Sequence, residues 1–269
     1  VKITVAGDAM EVDFDGTSPQ VRGAINSVYP FTASAVWACV RSILDGGIPN
    51  NAGYFRPIKV LTPERSIVNC APPSPVAARG LAGFRIADTV LGALAQIVPH
   101  LVPASGGSSP DAGVSLGGYH AGGKPFVYLE FLVGSWGGGP WRDGMDACTG
   151  IIVNYSNTPV ELLESEQPLL VERYGFIADS GGAGEYRGGL TLERHLRFLE
   201  DEGTIQVRSD RREIPPYGLE GGAPGTPSNV LIRRAGGEVE AQPSKFLTTL
   251  RRDDVLEVRL ASGGGYGDP

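Results

Sequence analysis

The chain has 269 residues, of which 41% are hydrophobic, so it can bury a core as one large domain or as two smaller ones. Its net charge of −7 argues against a nucleic-acid partner, because such binding needs a basic face. The three cysteines (Cys39, Cys70 and Cys148) are widely spaced, which disfavours a disulfide framework and favours a reducing cytoplasm. No apolar run reaches the roughly 18 residues of a membrane span, and no secretory signal is visible.

The first part of the chain alternates between strand and helix patterns. Alternating apolar residues around a turn at Gly7 predict a β-hairpin, and a sequence that opens directly inside a strand suggests a processed product or a fragment. Periodic apolar residues predict helices over residues 31–44, with Thr32 as the cap, and over residues 81–98. A short strand is predicted between them, at residues 58–61.

The middle of the chain is rich in glycine, and residues 105–123 are interpreted as a series of turns. An apolar strand is predicted at residues 125–133, with Glu130 as the only charge inside it. This carboxylate lies either on an exposed face, which is the simpler interpretation, or inside and held by a partner, since burying an unpaired charge is costly.

Two motifs in this region resemble catalytic loops but lack the required context. Residues 113–117 match the G-x-S-x-G nucleophile elbow, and Asp179 and His195 follow in triad order, but glycines stand where the elbow needs a helix. Residues 118–124 spell G-x-x-x-x-G-K, but Pro125 replaces the Ser or Thr of a phosphate loop. We therefore expect neither a triad nor a nucleotide site. The histidines are far apart in sequence, so no metal site is predicted either.

Residues 168–189 organise the second half of the chain. An apolar run is expected to bury Tyr174, Phe176 and Ile177, and a glycine-rich bend follows at residues 179–184. Its glycines allow positive φ or close approach to another surface. The bend is either a tight connection between strands with solvated charges, which the pattern favours, or a packed loop that meets a subunit or ligand.

Short strands separated by glycine and proline turns are predicted at residues 190–199, 204–208, 229–233 and 255–260. Between them, the charges of residues 209–213 precede a proline turn; they either bind a carboxylate or phosphate or, as we favour, form an internal ion-pair network. We predict an α+β protein. Residues 1–160 form a mixed part in which two core helices pack on a sheet, and residues 161–269 form a β-rich part.

Six segments, in the same order, resemble the B subunit of the hydantoinase/oxoprolinase family. They are DFDGTSPQVRGAIN (13–26), IPNNAGYFRPI (48–58), NTPVELLESEQPLLVERYG (157–175), DSGGAGEYRGG (179–189), SDRREIPPYGLEGG (209–222) and GGGYGDP (263–269). The chain resembles the C-terminal half of such subunits, and no counterpart is present of the upstream NDPY-x-GGTH type of segment. Ser108, Ser109, Pro110 and Asp111 stand where relatives often carry an Asn-rich stretch.

The resemblance implies an enzyme that opens cyclic amide or imide rings, such as hydantoins and 5-oxoproline, in many members with ATP. It implies a cytoplasmic hetero-oligomer with a hydantoinase A-type subunit, with the missing N-terminal half of the B subunit, or with both. No cofactor is expected on this chain itself, and the full complex leaves room for ATP and a divalent metal. The alternatives are a non-catalytic, truncated or split chain that stabilises an assembly, and a subunit of an ATP-dependent ketone carboxylase, as in the related acetone and acetophenone carboxylases.

Within that interpretation, no catalytic residue is identified. The candidates for a substrate wall are Arg56, Arg85, Glu130, Arg142, Asp143 and Asn157. Three further residues, Arg187, Arg211 and Tyr217, are assigned to structural or interface positions.

Overall fold

The computed structural model describes residues 1–106 and 110–269. Ser108 and Ser109, and the side chains of Pro110 and Asp111, lie outside the described residues. The chain forms two compact units: unit 1 comprises Val1–Pro103 with Ile151–Val153, and unit 2 comprises Ala104–Gly150 with Asn154–Pro269. The sequence-based boundary at residue 160 falls inside unit 2. Helices and sheets occur together in the described chain, which confirms the α+β prediction.

Unit 1 combines a small sheet with two long helices. Its elements are β1 (Lys2–Ala6), β2 (Ala9–Asp13), α1 (Tyr29–Ile43), α2 (Ala52–Phe55), β3 (Ile58–Leu61), α3 (Arg79–Ala95) and a 3-10 turn (Pro99–Leu101). β1 and β2 form the predicted hairpin, and β3 adds to β2 in parallel. The apolar stripes of α1 and α3 face each other, and they approach closely at Gly83, where a Cβ atom would come within 2.5 Å of the Phe31 ring.

The predicted cap of α1 is wrong. The helix begins at Tyr29 after Val28, which provides no side-chain cap. Thr32 lies inside the first turn and is buried, and its hydroxyl donates to the Val68 carbonyl at 2.6 Å. Thr32 therefore ties the helix to a neighbouring loop instead of satisfying its free amides. No helix in the described residues is long and apolar enough to cross a membrane.

Unit 2 is a β-sandwich. Its elements are β4 (Pro110–Tyr119), β5 (Pro125–Val133), α4 (Val160–Glu166), β6 (Leu169–Ile177), β7 (Thr191–Phe198), β8 (Glu202–Ser209), β9 (Asn229–Arg233), β10 (Val239–Ala241), β11 (Lys245–Arg251) and β12 (Val255–Arg259). The described strands form one sheet in the order β10-β9-β12-β7-β6 and another in the order β11-β8-β4-β5, and all neighbours are antiparallel. The inward faces of both sheets contribute to one apolar core, in which each fully buried large side chain contributes about 1.5–3 kcal/mol.

Strand β4 corrects the prediction that residues 105–123 form turns. It lies between β8 and β5 despite its glycines. Gly113 pairs with Phe131 and Gly118 pairs with Phe126, and a Cβ atom at Gly118 would come within 2.7 Å of the Phe126 ring. The rings of the neighbouring strand therefore cover these glycines, which offsets the low strand propensity of glycine.

The expected burial of Tyr174 and Phe176 is also wrong. Their relative exposures are 41% and 47%, and Ile177 is half-buried. The two rings pair with Arg194 and Leu192 of β7, but β6 is an edge strand, so they are covered on one side only.

Four glycine-rich segments of unit 2 meet backbone to backbone, and we call this meeting point the glycine junction (residues 136–144, 181–189, 217–225 and 263–267). The Gly138 amide donates to the Gly264 carbonyl at 2.8 Å, and the Gly182 amide donates to the Gly263 carbonyl at 2.9 Å. A Cβ atom at Gly263 would lie 2.0 Å from the Trp136 carbonyl oxygen. The bend at residues 179–184 is therefore a packed loop whose contacts are with this chain's own backbone.

Candidate functional site

A buried ion pair between Glu130 and Arg194 lies between the two sheets of unit 2. Glu130 faces inward from β5 and Arg194 faces inward from β7; both side chains are at most 1% exposed. Arg194 Nη1 donates to Glu130 Oε2 at 2.8 Å. The interpretation of Glu130 as exposed is therefore wrong, and the alternative of a carboxylate held by a partner is the one that the structure contains. We call the pair and its contacts the carboxylate–guanidinium centre (Tyr128, Glu130, Asn157, Thr158, Tyr174 and Arg194).

The Glu130 carboxylate also accepts two further hydrogen bonds. The Tyr128 hydroxyl donates to Oε2, and the Thr158 amide donates to Oε1 at 2.7 Å. Burial, followed by the nearby Glu130 carboxylate, raises the pKa of Tyr128 above its ordinary value, so its hydroxyl stays a proton donor to Glu130. Burial and the same carboxylate raise the pKa of Tyr155 as well.

Tyr174 and Asn157 connect this centre with the surface. The Arg194 guanidinium lies over the Tyr174 ring, 4.9 Å from its centroid. Asn157 Nδ2 donates to the Tyr174 hydroxyl at 2.6 Å, and Asn157 Oδ1 accepts from the Val133 amide at 3.3 Å. Two substrate-wall candidates, Glu130 and Asn157, are thus brought together: Glu130 is buried and committed to Arg194, while Asn157 is half-buried at the surface.

This arrangement is suited to positioning more than to proton transfer. A buried carboxylate that already accepts from a guanidinium, a hydroxyl and an amide has little capacity left for a substrate. Its contact with the Thr158 amide fixes the neighbouring Asn157, which is half-buried at the surface. Asn157 and Tyr174 form the surface edge of the centre.

A second polar cluster lies beside the glycine junction. Arg187 binds Asp146 through Nη1 at 3.0 Å and Nη2 at 3.3 Å, and its backbone amide donates to Asp143 at 3.0 Å. Burial raises the pKa of Asp146, but the hydrogen bonds from Arg187 and the Leu190 amide outweigh it and hold that pKa below its usual value. The candidates Asp143 and Arg187 are therefore brought together in a brace between two loops.

Arg211 and Tyr217 both contact Ser105, which lies beside the glycine junction. Arg211 is buried, with a φ of 57°, and its Nη2 donates to Ser105 Oγ at 2.7 Å. The Ser105 amide donates to the Tyr217 carbonyl at 3.0 Å. Both residues thus make contacts inside unit 2, and a role at a subunit interface stays a prediction.

The other wall candidates do not join the carboxylate–guanidinium centre. Arg142 is exposed in unit 2, in a tight turn where its amide donates to the Gly139 carbonyl at 3.3 Å. Arg56 is exposed at the end of α2 in unit 1, and Arg85 of α3 forms an ion pair with Asp88 at 3.1 Å.

The G-x-S-x-G match at residues 113–117 does not form a nucleophile elbow, as the sequence context predicts. Ser115 lies in the middle of β4, paired with Leu129 and Gln206, so no strand–turn–helix surrounds it. His195 lies on β7, where its Nε2 is 3.4 Å from Glu193 Oε2. Across residues 1–106 and 110–269, no group of three or more His, Cys, Asp or Glu side chains could hold a metal ion.

Sequence reasoning missed Arg194, Tyr128 and Thr158. Arg194 has a visible signal: it occupies an inward position of an alternating strand, between Leu192 and Leu196. A charge at such a position requires an opposite charge. The pattern thus indicates that Arg194 needs a buried carboxylate, but only the structure shows that Glu130 of β5 provides it.

Comparison with known proteins identifies the family. A model of the hydantoinase B/oxoprolinase family matches residues 1–269. The putative B subunit of a D-/L-hydantoinase from Pseudomonas sp. (strain NS671) is 35% identical, with 100% of this chain and 46% of that protein covered.

Two solved structures share the fold. The ATP-dependent caprolactamase from Pseudomonas jessenii has a TM-score of 0.86 and 26% identity, with 99% of this chain and 48% of that chain covered. Nucleotide-free acetone carboxylase has a TM-score of 0.83 at 17% identity, covering 99% and 41%, which is a likeness of fold alone. The chain spans about half the length of these relatives. It belongs to the hydantoinase B/oxoprolinase family.

Proposed function

We propose that this chain is one portion of the B subunit of an ATP-linked cyclic amidohydrolase, which acts with an A-type subunit in the cytoplasm to open cyclic amide or imide rings. The observation that carries the proposal is the family match over all 269 residues, together with the relative named as the B subunit of a hydantoinase. The fold shared with a caprolactamase supports it, because a lactam is also a cyclic amide.

The role we assign to this portion is to frame the substrate pocket. In the general chemistry, the terminal phosphoryl group of ATP is transferred to the amide oxygen and ADP leaves, which makes the ring carbon more electrophilic. Water then attacks that carbon, the C–N bond of the ring breaks, and phosphate is released. The interior carboxylate Glu130 is committed to Arg194, and Asp146 is committed to Arg187, so we assign the water-activating group to another part of the complex.

The surface edge of the carboxylate–guanidinium centre is our candidate for the wall. The Tyr174 hydroxyl, which accepts from Asn157, and the Asn157 side-chain amide can each donate a hydrogen bond to the carbonyl of a cyclic amide. The buried ion pair beneath them keeps these groups in place. Preorganised polar groups of this kind orient a substrate without changing their own conformation.

The proposal is tested by measuring ATP turnover that depends on a cyclic amide. The chain is assayed alone, with the A-type subunit, and with the A-type subunit plus the remaining part of the B subunit. Hydantoin, 5-oxoproline and caprolactam are offered in turn. We expect ADP and ring-opened product only in the complete mixture; ring opening by the chain alone would refute the division of labour.

A variant of the wall sharpens this test. Tyr174→Phe removes the hydroxyl that accepts from Asn157, and we expect a loss of about tenfold in kcat/KM with unchanged thermal stability. Tyr29→Phe is the matched control, since Tyr29 is 42% exposed against 41% for Tyr174. Equal kcat/KM values for the two variants would show that the Tyr174 hydroxyl is not part of the substrate wall.

One observation favours a second candidate, ketone carboxylation, because acetone carboxylase shares the fold. The same assay with acetone and bicarbonate in place of a cyclic amide distinguishes it. ATP turnover with the ketone and not with any cyclic amide would assign the chain to a carboxylase. If the A-type subunit and the remaining part of the B subunit were equally active when this chain is left out, this chain would have no catalytic role, in agreement with the alternative of a scaffold.

A further inference from the structure

The outward face of the four-stranded sheet in unit 2 carries an exposed groove with a polar floor and apolar walls. Its floor consists of small or polar residues of the two central strands, such as Ser115 and Gly117 of β4 and Thr204 of β8. Its walls are apolar: Leu247 of β11 is 66% exposed on one side, and Val127 of β5 is 76% exposed on the other. The volume of the groove is about 780 Å³.

The groove has the width of an α-helix. Its two walls stand on the outer strands of the sheet, three strand spacings apart, which is roughly 14 Å at about 4.8 Å per spacing. A helix with its side chains is about 10–12 Å across. Gly117, Ser115 and Thr204 let a helix backbone approach that part of the floor, and Gln206 lies beside them. The wall side chains can cover the apolar stripe of an amphipathic helix.

Apolar side chains on this face are continuous along the strand. Leu129 follows Val127 on the same face of β5 and is also exposed, whereas the inward residues of the same strand fill the core. The acidic lining residues, at 200–202, lie at one end of the groove, where β8 begins. Contiguous exposed apolar surface of this kind is typical of a surface that is covered in the assembled protein.

We propose that this groove is the docking site for the part of the B-type subunit that lies outside this chain, and that an amphipathic helix of that part occupies it. The proposal rests on the proposed function. The choice of occupant rests on length: the chain covers 46% of the related hydantoinase subunit and 48% of the caprolactamase chain, so those relatives carry a comparable length of the same chain outside the matched part. A helix-sized groove with exposed apolar walls is a surface suited to contact with that part.

The test measures binding between this chain and the remaining part of the B-type subunit from the same organism, expressed as a separate polypeptide. The dissociation constant is determined by titration calorimetry for the wild type and for the double variant Val127→Glu/Leu247→Glu. We expect the double variant to bind at least tenfold more weakly. Ile214→Glu is the matched control, because Ile214 is 75% exposed in unit 2 outside the groove, and its dissociation constant should change less than twofold.

A second, milder double variant controls for the possibility that the glutamate variant misfolds. Val127→Thr/Leu247→Thr places β-branched residues on the strands while removing apolar surface, so it should retain the thermal stability of the wild type and still weaken binding. Wild-type affinity in both double variants, or no binding of the wild-type chain, would overturn the proposal. So would sedimentation showing that the chain alone forms a dimer that the groove variants dissociate, since a second copy would then be the occupant.

The result of the binding test can be distinguished from the result of the turnover assay that tests the proposed function. If the groove variants weaken assembly but no mixture turns over ATP with a cyclic amide, the docking site stands and the assigned activity fails. If turnover occurs and the groove variants assemble normally, the activity stands and the docking site is wrong.

Discussion

Arg194 Nη1 lies 2.8 Å from Glu130 Oε2, and the two side chains extend from the inward faces of different sheets. The pair is therefore a polar link through an otherwise apolar core. Removing one partner leaves the other charge buried and unpaired, which is more costly than removing both.

We predict that Glu130→Ala lowers the free energy of unfolding by about 3–5 kcal/mol, because it leaves the Arg194 guanidinium without its carboxylate. The double variant Glu130→Leu/Arg194→Leu should recover much of that loss. Urea denaturation measures both. Glu213→Ala, at an exposed carboxylate, serves as the control and should stay within about 0.5 kcal/mol of the wild type. Equal effects at the two glutamates would contradict a stabilising role for the pair.

The ion pair between Asp146 and Arg187 predicts a pH-dependent contribution to stability. The pKa of Asp146 is lowered in the folded protein, so its contribution is complete above the unfolded value of about 3.9 and is lost as the pH falls through the lower folded value. Asp146→Asn should therefore be less stable than the wild type at pH 7, and the difference should shrink below about pH 4. Urea denaturation from pH 7 to pH 3 checks this. Glu213→Gln provides the baseline, and a difference for Asp146→Asn that stays constant with pH would refute the prediction.

The glycine junction predicts strong sensitivity to a single methyl group. Gly263→Ala places a Cβ atom 2.0 Å from the Trp136 carbonyl oxygen, and backbone atoms have little freedom to withdraw. We expect a loss of at least about 1–3 kcal/mol in stability, or insoluble protein. Gly236→Ala is the matched control, because a Cβ atom there meets nothing within 4 Å. Thermal melts of the two variants decide the point, and similar melting temperatures would contradict the close packing of the junction.

Cysteine reactivity gives a prediction for unit 1. Burial, with a smaller effect from Asp88, raises the pKa of the Cys39 thiol to about 12, so it carries almost no thiolate at pH 8. Cys70 and Cys148 are half-buried and should be alkylated by iodoacetamide first. Mass spectrometry should find Cys39 unmodified in the native protein and modified in urea. Labelling of native Cys39 at the rate of Cys70 would show that α1 and α3 do not enclose it.

The sequence predicts the bounds of a strand best where an apolar run is directly flanked by turn residues. The strands at residues 58–61, 125–133 and 229–233 have the predicted bounds, because bulky apolar residues are flanked by turn residues there. The two long helices are predicted with ends shifted by a few residues. Neither helix begins at a side-chain cap: Pro30 in the first turn is the signal for the start of α1, and the first turn of α3 has no such residue.

Contacts between distant strands are beyond the reach of sequence pattern. The glycines of β4 favour turns when the sequence is taken alone, and the compensating rings of Phe126 and Phe131 come from β5. Glu130 is expected to be exposed as long as its partner is unknown, and that partner lies on β7, in the other sheet. Asn157 is a polar candidate from the sequence, but its contact with the Tyr174 hydroxyl follows only from the fold.

The strand order of unit 2 has a consequence for how quickly the chain reaches its native state. β7 and β12 are neighbours in one sheet, and β8 and β4 are neighbours in the other, yet each pair is separated by a long stretch of chain. Large loops must close before these pairings release any favourable energy, so the entropy cost comes first. We expect the sandwich to refold on a timescale on the order of milliseconds to seconds or slower, much later than the contacts between the helices of unit 1 could form.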